Sequence, residues 1–260
     1  MQKREKVSMK KKLSLFLVPV IALSLTACGG PAAPSPIPAA PATSGAVSTP
    51  ETENTQESVA YEVTYSNART WTDSIGSTWV QTIVEIENTG TENLYLGSGA
   101  YDLEDAEGTL IASQTSVSAF PDVIASGEKG YLYEETTLDN YDQEGTLTVK
   151  PRPDVKEATV DLIRYDVTDV SVSDDTYLGV NVLGRVENNT DETGSLVYVT
   201  AFFYDDNNTM IGSAFTILTE DLAPGSQIGF EITSFSLPDD VTAESIAQTV
   251  VYAYPMQMQF

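Results

Sequence analysis

From residue 61 onward, apolar and polar side chains alternate in short runs cut by turn residues. Val80, Thr82, Val84 and Ile86 fall on one side of an extended chain, with Gln81, Glu85 and Glu87 on the other. One hundred residues later, Val180, Val182 and Val186 alternate in the same way with Asn181, Arg185 and Glu187. A period of two marks strands with one buried face. Both runs stop at Asn-rich turns, Asn88-Thr89-Gly90 and Asn188-Asn189-Thr190. A second strand is predicted after each, over Tyr95 to Asp105 and Leu196 to Asp205, closed by polar turns at 106–108 and 206–208. Third strands follow over Thr109 to Thr115 and Thr209 to Leu218. Turns of this chemistry join antiparallel neighbours. The last strand is predicted over Thr249 to Tyr254, with Val250, Tyr252 and Tyr254 on one face, stopped by Pro255. One short helix is predicted, Asp240 to Gln248, with Thr242-Ala243-Glu244-Ser245 near its start.

The two sets of strands are copies. Residues 80–113 set against 180–213 without gaps share nine identities in 34, among them Glu87/Glu187, Asn88/Asn188, Asp105/Asp205 and Thr109/Thr209. Chance gives about two at ordinary residue frequencies. The match continues, two residues out of step, at Ala125-Ser126-Gly127 and Ala223-Pro224-Gly225. A repeat of this kind is the mark of one unit used twice, and many short strands at regular spacing indicate a sandwich. The expected fold class is therefore all-β: two tandem Ig-like antiparallel β-sandwich modules, over 60–152 and 158–260, after a disordered N-terminal tether.

The second copy also carries Gly184-Arg185-Val186-Glu187-Asn188, then Phe203-Tyr204-Asp205, then Leu222-Ala223-Pro224-Gly225. These stretches resemble the FxLYD domain, an Ig-like module of bacterial lipoproteins and secreted proteins, over roughly Ile163 to Thr233. Ala201 stands where the family's leading aromatic would be. The first copy has Tyr101 at that aromatic, with Leu103 and Asp105 in place, but Glu104 replaces the tyrosine and Val84 the glycine. It reads as a divergent relative. The resemblance implies a sandwich and an extracytoplasmic location, and it brings no activity.

The N-terminal 60 residues have a different texture. Lys3, Arg4, Lys6, Lys10, Lys11 and Lys12 precede a 13-residue apolar run, Leu13 to Leu25. A basic segment, a short apolar run and small residues at a cut site make a secretory signal over 1–27; a bilayer span needs about 20 apolar residues. Met9 is an alternative start, since Met9-Lys10-Lys11-Lys12 supplies the basic segment alone. The run ends in Leu25-Thr26-Ala27-Cys28, with the only cysteine of the chain, followed by Gly29-Gly30. This closely resembles the lipobox of bacterial lipoproteins, which implies a diacylglycerol on Cys28 and anchorage on the extracytoplasmic face of the cell membrane. The alternative is a simple signal cut near Ala27 that leaves Cys28 a free thiol. Two acyl chains make a stable anchor where one is marginal. Residues 28–59 form a linker: Pro31, Pro34, Pro36, Pro38, Pro41 and Pro50 lie among Ala, Ser and Thr, with little to bury. A semi-extended tether of this length reaches on the order of 50–100 Å from the membrane.

Charge sharpens this picture. The full chain carries a net −25; the signal removes six bases and one acid, leaving 7 bases against 37 acids, a net −30. So acidic a chain is repelled by nucleic-acid phosphates, and its charge favours solubility. The sequence has no histidine, which excludes Ser-His-Asp and Cys-His sites and HExxH zinc sites. No cofactor is expected beyond the lipid on Cys28. Ser126-Gly127-Glu128-Lys129 spells Ser-x-x-Lys, but that chemistry needs a helix and partner motifs that are absent, and Ser126 aligns with Pro224 at a turn. Asp102, Glu104, Asp105 and Glu107, and in the equivalent turn Asp205, Asp206, Asn207 and Asn208, are hard oxygen ligands crowded on loops and suggest calcium, with Asp102, Asp105, Asp205 and Asp206 as the candidates; their spacing fits no EF-hand, and the other reading is acidic turns. Trp71, flanked by Thr70, Thr72 and Asp73, is a candidate binding anchor, while aromatics in strands otherwise fill cores. These features together predict a non-catalytic surface lipoprotein that binds or scaffolds an envelope protein or a cell-wall polymer. The alternatives are a structural spacer, a calcium-binding adhesion module and an accessory subunit of an envelope complex.

Overall fold

The computed structural model describes residues 58–175, 179–234 and 237–256. The signal segment, the linker, Leu25-Thr26-Ala27 and Cys28 lie outside them. The described chain is all-β, and it forms two sandwich modules within one compact unit.

The first module holds β1 (Tyr61–Thr72), β2 (Thr78–Asn88), β3 (Leu94–Leu96), β4 (Gly99–Glu104), β5 (Leu110–Val117), β6 (Ala119–Phe120), β7 (Val123–Ile124), β8 (Lys129–Thr137), β9 (Gly145–Arg152) and β10 (Val155–Glu157). The second holds β11 (Asp166–Asp175), β12 (Gly179–Glu187), β13 (Val197–Tyr204), β14 (Met210–Leu218), β15 (Gln227–Ser234) and β16 (Gln248–Pro255). In the second module two three-stranded sheets, β11-β12-β15 and β14-β13-β16, face each other. The same triplets recur in the first, β1-β2-β8 and β5-β4-β9, but there β1 also pairs with β9, at Ala68↔Leu147 to Thr70↔Gly145. The two faces of the first module are thereby joined into one curled seven-stranded sheet.

Alternation explains what each strand buries. Val80, Val84 and Ile86 of β2 enter the first core with Tyr101, Leu103 and Leu132; Val180, Val182 and Val186 of β12 enter the second with Phe203, Leu222 and Ile232. The strand expected over Tyr95 to Asp105 is divided. Leu96 N–H donates to Asp122 O and Gly97 N–H to Asp154 O, which holds β3 in a small sheet with β10 and β7 while β4 joins the large one. Pairing of Val155–Glu157 with β3 and a bond from Ala158 N–H to Asn93 O carry the first module beyond residue 152. Tyr165, bridged to Ala253, opens the second.

The helix expected over Asp240 to Gln248 does not form. Ser245 and Ile246 both donate to Thr242 O, a single turn closed by Thr242 N–H on Ser245 Oγ. Ala247 N–H then goes to Tyr204 O, and Gln248 begins β16. One turn has the cost of helix nucleation without the propagation that repays it, so the β13 edge captures the backbone instead.

Candidate functional site

The residues singled out by sequence do not converge. Asp105 Oδ1 accepts N–H bonds from Glu107 and Thr109, at 3.0 and 2.7 Å. Asp205 Oδ1 does the same for Asn207 and Thr209, at 2.9 and 2.8 Å. Both aspartates are turn locks: a side-chain oxygen replaces a backbone acceptor where the chain reverses. Those donors hold the Asp205 carboxyl below its ordinary value, the Thr209 N–H foremost. Asp102 lies across the sheet, bound by Ser113 and by the Arg152 guanidinium. Asp206 is exposed on the turn. Among the described residues, no three acidic side chains gather as a metal site. Ser126 donates to Gly90 O while Lys129 pairs with Glu85, so the Ser-x-x-Lys residues serve separate structural bonds.

Trp71 does not stand free. It faces Trp79 directly across the β1–β2 hairpin, with centroids 6.2 Å apart and planes 20° apart, and both rings are half-buried. The Trp79 indole N–H donates to Asp73 Oδ2 at 2.9 Å.

What the sequence pattern missed is a seam between the modules. On β2, Gln81, expected to face outward, and Ile83 on the same side are only 1% exposed, because the second module covers them. Ile83, Phe120 and Tyr131 from the first module pack against Phe202 and Met210 from the second. Tyr131 and Phe202 rings meet at 4.9 Å, and Tyr252 meets Phe202 edge-on. Tyr131 and Tyr204 hydroxyls lie 2.7 Å apart. The Tyr131 proton goes to the Glu85 carboxylate at 3.1 Å, the stronger acceptor, so Tyr204 donates to Tyr131. Burial alone would raise the Glu85 carboxyl; donors from Lys129, Thr64 and Tyr131 outweigh it and hold it low. Burial raises both tyrosines.

Two arginines clamp the seam. Arg69 donates to both oxygens of Asp240 and to Ile211 O, with its Nε on Gln81. Arg164, just ahead of Tyr165, donates to Val123 O and lies over the rings of Tyr252 and Tyr254, 5.5 and 5.4 Å from their centroids. Asp122 faces Arg164, yet burial pushes its carboxyl up to about 6.

Grooves open along the seam. One of about 360 Å³ is bordered by Ser116, Ser118, Glu134 and Glu135 and floored by Phe120 and Phe215. A second, of about 260 Å³, shares Ser118, Phe120 and Phe215 and adds Tyr95, Asp122 and Tyr198. Glu134 and Glu135 are neighbours in one strand, so their side chains leave on opposite faces: Glu134 accepts from the buried Tyr101 hydroxyl, Glu135 from Tyr133. They do not form the paired carboxylates of a glycosidase. The arrangement offers aromatic surface, hydroxyls and negative charge, which suits binding. No protein-family model matches the chain, and no curated protein matches it.

Proposed function

We propose that this protein is a lipid-anchored extracytoplasmic lipoprotein whose two β-sandwich modules act together as a non-catalytic binding unit for an envelope protein or cell-wall polymer. The observation that carries the reading is the seam: two modules are locked face to face, and the lock leaves aromatic grooves bordered by carboxylates. Residues from both modules line the groove floored by Phe120 and Phe215, so neither alone would present it. Leu25-Thr26-Ala27-Cys28 supports the anchor, with a diacylglycerol thioether on Cys28. The repeated Asn88/Asn188 and Asp105/Asp205 bonding patterns support kinship of the two modules, and the motifs from Gly184 to Gly225 support an FxLYD-type module in the second.

Crosslinking on living cells, with captured neighbours identified by mass spectrometry, tests the binding role. A reproducible neighbour, lost when seam residues are altered, supports it. Recovery of bulk envelope proteins alone, unchanged by alteration, would leave a spacer. Cys28→Ser tests the anchor: the variant is expected to leave the membrane fraction, and its retention there would refute lipidation.

A further inference from the structure

β14 is an uncharged strand edge on this acidic surface, as is β5 in the first module. β14 pairs with β13 and with no other strand of its sheet. From Asn207 to Thr219 the chain has no charged residue and no proline. Exposed edges are ordinarily blunted by charge, proline or bulges; β11, at the edge of the opposite sheet, carries Asp166, Asp169, Asp174 and Asp175, whereas β14 has only a register irregularity at its start, where Phe203 faces Gly212 and Tyr204 faces Met210. On β14, Phe215 is 50% exposed and Ile217 38%. Leu196 and Met256 extend this apolar strip, at 45% and 46%, and Met256 N–H bonds Leu196 O. Phe215 also stacks on Phe120 at 5.2 Å, which joins the strip to the two grooves that these rings share.

We infer that the β14 edge and its flanking grooves dock an extended segment of a partner polypeptide that carries lysine or arginine among apolar side chains. This rests on the binding reading above and not on the lipid anchor. Three features select that occupant. Past Ile211, whose carbonyl Arg69 already holds, the unpaired side of the strand offers backbone groups that only another polypeptide backbone matches in register, and alternate side chains then fall on one face. The strip of Phe215, Ile217, Leu196 and Met256 takes apolar side chains. Glu134 and Glu135 line the larger of these two grooves, and among the described residues no Lys or Arg lines either, so the charge at the border is complementary to a basic segment. A second copy of this chain would set one acidic groove against another, and like charges juxtaposed are unfavourable.

The test uses the full-length protein in detergent and a short fluorescent peptide of alternating lysine and valine, titrated by anisotropy at physiological salt. Saturable binding is expected, weakened about tenfold or more by Phe215→Ser with Ile217→Ser, as for loss of a central apolar anchor. Glu134→Gln with Glu135→Gln should weaken it severalfold and flatten its salt dependence. Leu183→Ser, at an exposed apolar site on β12, should change nothing. Hydrogen exchange on the unaltered protein gives a readout independent of variant folding: the peptide should protect amides in 214–218. Equal binding by all variants would reduce the effect to bulk charge and overturn the inference. Protection elsewhere would overturn it too. A dimer of the free protein abolished by Phe215→Ser would assign the edge to self-association and likewise overturn it. Any of these results beside a specific cell-surface neighbour leaves the binding role standing, with its site elsewhere.

Discussion

The two buried asparagines show how single side chains hold both modules in one pattern. Asn88 Nδ2 donates to Glu92 O and Ile124 O, and its Oδ1 accepts from Gly90 N–H. Asn188 repeats this with Glu192 O, Leu222 O and Thr190 N–H. Each is at most 1% exposed, so alanine would strand buried carbonyls and an N–H. A loss of about 2–3 kcal/mol is expected for Asn88→Ala and for Asn188→Ala, read by chemical denaturation. Their importance was legible as paired identities at a spacing of 100 residues. The role of Asp105 and Asp205 was less so, because an oxygen that locks a turn and one that binds calcium look alike in sequence. Asp122 was not legible at all. Its carboxyl titrates near about 6 rather than its ordinary 3.8 because burial disfavours the charge. A raised carboxyl penalises the folded state above that pH, and the penalty fades as pH falls toward 4. Asp122→Asn should therefore raise stability by about 1–2 kcal/mol at pH 7.5 and leave it unchanged near pH 4, in paired thermal melts.

Strands were read well wherever one face met a core. Val80 to Ile86 and Val180 to Val186 obey a period of two because water lies on one side and packed side chains on the other. The reading failed where local pattern did not decide the outcome. Residues 240–248 have a helical start signal, but Ala247 N–H finds the carbonyl of Tyr204. Leu96 and Gly99 lie in different sheets although the sequence between them has no proline. The turn after each core pair is a shared device: Gly127 N–H donates to Asn88 O and Gly225 N–H to Asn188 O, both at 2.8 Å. Both glycines have φ near +70°, at 77° and 67°, in space that a methyl group could enter freely. Gly127→Ala and Gly225→Ala should each cost about 1 kcal/mol through the backbone alone, the same in both copies within error. Unequal costs in denaturation would mean that the turns are not equivalent.

At the scale of the molecule, the seam could not be read, because its residues belong to strands whose outward faces look like any half-polar surface. Aromatics in strands are expected to fill cores; only the docked structure shows that Tyr131, Phe202 and Tyr204 build one between the modules. Burial of Phe202 at the seam couples the modules, so the unaltered protein should melt in one transition. Phe202→Ala should lower stability by about 3–5 kcal/mol and split the calorimetric transition in two, one for each sandwich. A single transition in the variant would show that other seam contacts suffice.

The double pairing of β1 has a mechanical consequence. Under the proposed N-terminal anchorage, a pull on the chain would enter this fold through Tyr61. Along β1 it meets eleven registered pairs with β2 and three with β9. A load directed along the strand must shear these rows together rather than unzip them one at a time. β11, the counterpart in the second module, is paired on one side only. The module next to the point of pull is thus the one built to resist it, and the outer module would give way first.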